Sequence, residues 1–135
     1  MDISKLNELN AAENGITHEF ELTHPVNGKG IGIKLKLISR EADAPRNLGI
    51  RLADKMRVAE AKAQRTGKAG VSFAEIEQQG IDLLAACVVG WEGVEEKGKP
   101  VEFSTAAVKE HLLGINWVRE QINAQLDEQA NFIAA

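Results

Sequence analysis

Cysteine is almost missing from this chain. Cys87 stands alone among 135 residues, so no intrachain disulfide can form, and a reducing, cytosolic compartment is expected. Aromatics are scarce, with two Trp, four Phe and no Tyr. None is interleaved with the basic residues as stacking on single-stranded nucleic acid would require. The three histidines, His18, His24 and His111, lack metal-ligand spacing, so neither a metal nor a cofactor is expected. Long apolar runs are absent too. The longest, residues 83–89, is far too short to span a bilayer, and no early basic-then-apolar segment resembles a signal peptide. Base is outweighed by acid, 16 Lys and Arg against 20 Asp and Glu for a net charge of −4, which disfavours a generic nucleic-acid binder. No nucleotide-binding loop or catalytic constellation is present. The expectation is a soluble intracellular protein that is not an enzyme.

What is there suits one hydrophobic core. The length is right for a single domain, and a hydrophobic content of 44% is ordinary for a globular chain. Residues 1–15 mix Ile3, Leu6 and Leu9 with polar side chains. A short helix and a mobile arm that orders against a partner both fit. Residues 16–38 alternate as strands do: Ile16, His18, Phe20 and Leu22, then Ile31, Ile33, Leu35 and Leu37. Asn27-Gly28 between them is the preferred two-residue hairpin turn. That turn pairs Phe20 with Leu35, Leu22 with Ile33, Glu21 with Lys34 and Glu19 with Lys36. Apolar pairs then share one face and opposite charges the other. A lone hairpin is marginal in water, so its apolar face must cover helices, or its edges must meet another subunit.

Pro45 suits a helical first turn, and Leu48, Leu52, Met56, Ala59 and Ala63 form one stripe over a helix at about 45–66, ended by Gly67. Residues 46–68 hold seven basic against two acidic side chains, a local +5 that leaves the rest of the chain at −9 given its total of −4. Arg51, Lys55, Lys62 and Arg65 project along one ridge beside the stripe. A solvated flank, an acidic protein surface such as a neighbouring copy, and a phosphate backbone would each match it. Val71-Ser72-Phe73-Ala74-Glu75-Ile76 carries a capping box and staple, opening a helix over 73–91 in which Gly80 implies either close packing or simple tolerance. Cys87 has no neighbouring base or positive group, so core packing is expected of it rather than nucleophilic chemistry. Residues 92–100 suggest a short hairpin-like excursion pegged by Val94 and Val101. Ser104 caps a helix over 104–113, and Asn116, a good N-cap, opens another over 116–131. Trp91 and Trp117 are expected as core anchors. Phe132 and Ile133 form either a partner-facing patch or a frayed end.

The string Trp91-x-Gly93-Val94, then Gly98-x-Pro100-Val101-x-Phe103-Ser104, then Leu112-Leu113 and Trp117 resembles the tail assembly chaperones of long-tailed, siphovirus-type bacteriophages. It covers about a third of the chain and consists of structural residues. Many relatives have proline before the second tryptophan, where Asn116 stands here. The resemblance implies a late viral protein that binds and solubilises the tape measure protein, recruits tail tube protein, and self-associates as a homo-oligomer. It also implies work in the host cell cytoplasm and absence from the mature virion. Such genes are commonly read with a programmed ribosomal frameshift, and this chain would be the short form. The competing expectations are a head-tail joining or tail-terminating protein that stays in the particle, and a DNA-handling accessory using the basic helix.

The expected fold is α+β and mainly helical. An N-terminal hairpin packs on about four helices in a single domain, 16–135, behind the 1–15 arm. The contact residues expected for a partner or second subunit are Arg51, Lys55, Lys62, Arg65, Phe132 and Ile133, without membrane or nucleic-acid partners.

Overall fold

A computed structural model describes residues 2–9 and 16–133. In chain order the elements are α1 (Ile3–Leu9), β1 (Thr17–Thr23), β2 (Gly30–Ile38), α2 (Asp43–Thr66), α3 (Phe73–Cys87) and β3 (Val88–Glu92). The short β4 (Glu95–Glu96) and β5 (Lys99–Pro100) follow, then α4 (Thr105–His111), α5 (Asn116–Asp127) and a 3-10 turn, Gln129–Phe132. The architecture is α+β. Among the described residues no helix is long and apolar enough to cross a membrane. Residues 10–15 of the expected arm lie outside the described residues.

Strand alternation does what the sequence pattern asks of it. Leu22, Leu35 and Leu37 are fully buried while Lys34 and Lys36 stay exposed. The buried faces of α3, α4 and α5 and the turn after α4 close over them through Leu84, Cys87, Val108, Leu112, Leu113, Val118, Ile122 and Leu126. Burying that apolar area is the main force holding the two layers together.

The hairpin register is as expected from Thr17↔Ile38 through His18↔Leu37, Glu19↔Lys36 and Phe20↔Leu35 to Glu21↔Lys34. It then slips. The next pair is Thr23↔Gly30, so the expected Leu22–Ile33 pairing is not made. Residues 31–33 bulge opposite Leu22, with Gly32 at φ +88° providing the left-handed kink. The connection is correspondingly longer than two residues. His24 N–H donates to the Lys29 carbonyl at 2.7 Å and Gly28 N–H to the His24 carbonyl at 2.9 Å. Asn27 is not left-handed; its side chain accepts from Lys29 N–H at 2.9 Å instead. The two-residue turn with both central φ positive occurs elsewhere. Lys97 (+52°) and Gly98 (+80°) join β4 to β5, and Val101 N–H donates to the Val94 carbonyl at 2.9 Å. The 92–100 excursion is therefore a true hairpin.

The larger correction concerns residues 88–91, expected as helix. They form β3, which joins the other side of β2 through Lys34↔Glu92, Leu35↔Trp91, Lys36↔Gly90 and Leu37↔Val88, giving sheet order β1-β2-β3. Two adjacent valines and a glycine are poor helix formers, and β2 offers an open row of backbone partners. An apolar run alone does not separate helix from buried strand. Trp91, now on the sheet, donates its indole N–H to the Val101 carbonyl at 3.0 Å and meets Phe103 edge-on at 5.5 Å.

Helix ends follow local chemistry. Gly67 caps α2 at φ +69°. Ser72 and Ser104 accept from Glu75 N–H and Ala107 N–H at the starts of α3 and α4. Glu60 ties the α2–α3 loop by accepting from Val71 N–H at 3.1 Å. Asn116 is not the N-cap of α5. That position is Ile115, and Asn116 turns its side chain to Glu120 and Arg119 within the helix. α5 stops at Asp127, four residues short of expectation, because Glu128 is extended (ψ 96°) and the following 3-10 turn folds Phe132 back onto the core.

Candidate apolar groove between α2, α3 and α5

The helices α2 and α3 lie against each other, and α5 crosses near the start of α2. Between them opens a groove of about 500 Å³. Its floor is apolar: Pro45 and Gly49 from α2, and Ile81, Leu83, Leu84 and Cys87 from α3. Gly80 also lines it, and a Cβ there would meet nothing within 4 Å. Of the two readings of this glycine, close packing is therefore excluded.

The rim is cationic. Arg40, Arg46 and Arg119 line the opening, with Glu77 as its carboxylate. Arg40 is held by Asp127 at 2.6 Å and Asn123 at 2.7 Å. Arg119 donates to the Leu113 carbonyl at 2.6 Å. Among the described residues Arg46, which is exposed, has no ion-pair partner. Arg40 and Arg46 are only six residues apart, but Arg119 is distant in the chain, and helix packing brings it to the same opening. The one local hint was Arg46 beside Pro45 at a helix start.

The expected contact residues are distributed differently. Arg51, Lys55, Lys62 and Arg65 are all exposed on α2. At about 100° per residue they lie on the opposite flank of the half-buried stripe from Arg46 and Gly49. The ridge exists, with the exposed Val58 along it, but it does not border the groove. Phe132 is a correction. It is 4% exposed and packs edge-on against His18 at 6.1 Å, so it belongs to this chain's own core and is not a docking contact. Its neighbour Ile133 remains exposed.

Other polar groups serve the fold. His18 Nε2 and Gln125 Oε1 are 2.8 Å apart. The Gln121 amide both donates to the Thr23 carbonyl and accepts from Thr23 N–H, at 2.8 and 2.9 Å. A side chain thereby continues the ladder at the end of β1. Among the described residues no group of three or more His, Cys, Asp and Glu side chains is placed to hold a metal.

Cys87 has the burial expected of it. Loss of water pushes its thiol from 9.0 up to about 11, a rise that the nearby Arg40 charge only partly offsets. Its neutral form is thus favoured in the native state. In the unfolded chain the thiol ionises near pH 9, so Cys87's contribution to native stability should be level below that pH and decline between about 9 and 11. At pH 8, iodoacetamide should label Cys87 much more slowly in native protein than in urea. Equal rates would show the thiol to be accessible.

Comparison with known protein families, curated proteins and solved structures finds no match to this chain.

Proposed function

We propose that this protein acts by holding other polypeptides, as a tail assembly chaperone of long-tailed bacteriophages. In this reading it keeps the tape measure protein soluble in the host cytoplasm, gathers tail tube subunits around it, works as a homo-oligomer, and leaves before the particle is complete. A client of that kind is a long chain with apolar helical stripes, and its holder must present apolar surface without losing its own solubility.

The observation that carries the proposal is the apolar surface of the α2–α3 pair. The groove is open, and Ile50, Val58, Phe73 and Ile76 are exposed on the same two helices, Phe73 by 79%. Several exposed apolar groups on one helical pair, beside an open apolar groove, suit an interaction surface. The residues of the family-like string support the reading through their structural parts: Trp91 anchors Val101, Gly98 turns the β4–β5 hairpin, and Ser104 caps α4.

Co-expression with tape measure segments tests it. Soluble yield of at least one segment should rise several-fold over expression alone. Unchanged yield across the whole tape measure protein would overturn the proposal, as would mass spectrometry finding this chain as a stoichiometric part of finished particles.

A further inference from the structure

We infer that the groove between α2, α3 and α5 receives an amphipathic α-helix whose apolar face is flanked by carboxylates. The inference rests on the holder reading and gives the client segment a chemistry.

Three features of the site select that guest. The first is its shape. Along α3 the lining residues Glu77, Gly80, Ile81, Leu84 and Cys87 hold the i, i+3, i+4, i+7 and i+10 positions of one helix face, with Leu83 at its edge. At 1.5 Å per residue that floor runs about 15 Å, close to three turns of a guest helix. The missing side chain at Gly80 leaves room for an incoming aliphatic group near its middle. Neither that glycine nor its cost of about 1 kcal/mol relative to alanine is explained by packing within the chain, since nothing approaches it.

The second feature is the backbone. The walls are helices, whose N–H and C=O groups are satisfied internally, apart from their ends. An extended peptide would find no strand edge in the groove with which to pair. A helix brings its own backbone bonds and needs only side-chain contacts, which is the helix-in-groove mode of recognition.

The third feature is charge. With Arg40 already paired to Asp127, Arg46 and Arg119 against Glu77 still leave the rim positive, and Arg46 has an open set of donors among the described residues. A guanidinium beside an apolar floor favours a carboxylate placed one turn from the buried aliphatic side chains. A basic guest would face like charge, which costs specificity as well as affinity.

The test uses the full-length protein and two fluorescein-labelled synthetic helical peptides. Both carry Leu at i, i+3, i+4 and i+7, with Glu at the flanking positions in one and Lys in the other. Fluorescence anisotropy should show the Glu peptide binding at least tenfold more tightly than the Lys peptide. Gly80→Trp, which fills an open part of the groove, and Arg46→Glu should each weaken the Glu peptide at least tenfold. Lys62→Glu, on the other flank of α2, should change it less than threefold once salt is raised to screen long-range attraction. Circular dichroism confirms that each variant is folded, and Arg46→Glu stands as the test should Gly80→Trp fail to fold. Equal binding of the two peptides overturns the assignment, as does undiminished binding by both groove variants. Displacement of the Glu peptide by decanoate at stoichiometric concentration also overturns it, in favour of a small anionic amphiphile. If the groove variants bind the peptide normally while wild-type protein still solubilises tape measure segments, the groove assignment falls and the holder reading stands.

Discussion

Replacing Leu35 by alanine should cost about 3 kcal/mol of stability, read as a lower urea midpoint at unchanged slope. Leu35 is fully buried at the centre of β2, facing Phe20 on one side and Trp91 on the other. Its removal leaves a cavity where the sheet meets the helices, and strands held from both sides collapse poorly into such a space. Ile50→Ala is the control. Ile50 is 53% exposed on α2, so its truncation should stay within about 0.5 kcal/mol. A small effect at Leu35, or equal effects at the two sites, would mean that the β2 face is not the centre of the core.

Gly93→Ala should be of similar size for a different reason. Gly93 has φ +81°, and a Cβ there would collide with the Gly32 carbonyl oxygen, a backbone atom that cannot swing aside. Gly32 is itself left-handed at the bulge of β2. The two glycines mark the place where the chain leaving β3 crosses the bulge. Gly28→Ala separates the contributions, since Gly28 has a comparable φ of +71° with nothing within 4 Å. Conformation alone should cost about 1 kcal/mol at Gly28. Conformation plus collision should cost about 3 kcal/mol or more at Gly93. Hydrogen exchange in the Gly93 variant should speed up first in β3. Equal urea midpoints for the two variants would remove the collision from the account.

Much of this fold is legible in local chemistry. Alternation placed the buried face of the hairpin, and the register set from the Asn27-Gly28 turn matches the observed pairs from Thr17 to Glu21. Gly67, Ser72 and Ser104 marked helix ends because each solves a local hydrogen-bonding or φ problem. What local chemistry missed depends on distant partners. Asn27-Gly28 is a strong turn signal, yet the bulge two residues into β2 moved the closing pair outward and left Asn27 a different task. Residues 88–91 carry only a weak local signal against helix, two valines and a glycine. They become β3 because β2, whose pairing residues lie 51 to 58 positions earlier, has an unpaired side. The groove is of the same kind. Arg40, Arg46, Gly80 and Arg119 share no motif, and their meeting is a product of helix packing. Phe132 failed as a surface candidate because proximity to the chain end says little once a 3-10 turn returns it to the core.

The Gln121 amide that completes the ladder at Thr23, together with Ile122 and Leu126 over the sheet, ties the first third of the chain to its last twenty residues. On the ribosome, the β1–β2 ribbon is therefore finished long before its lid has been synthesised. Contacts 98 residues apart form slowly, so nascent chains should pass through an interval with a bare leucine face. Translation rate and cellular folding factors then bear on how much of this protein reaches its native form.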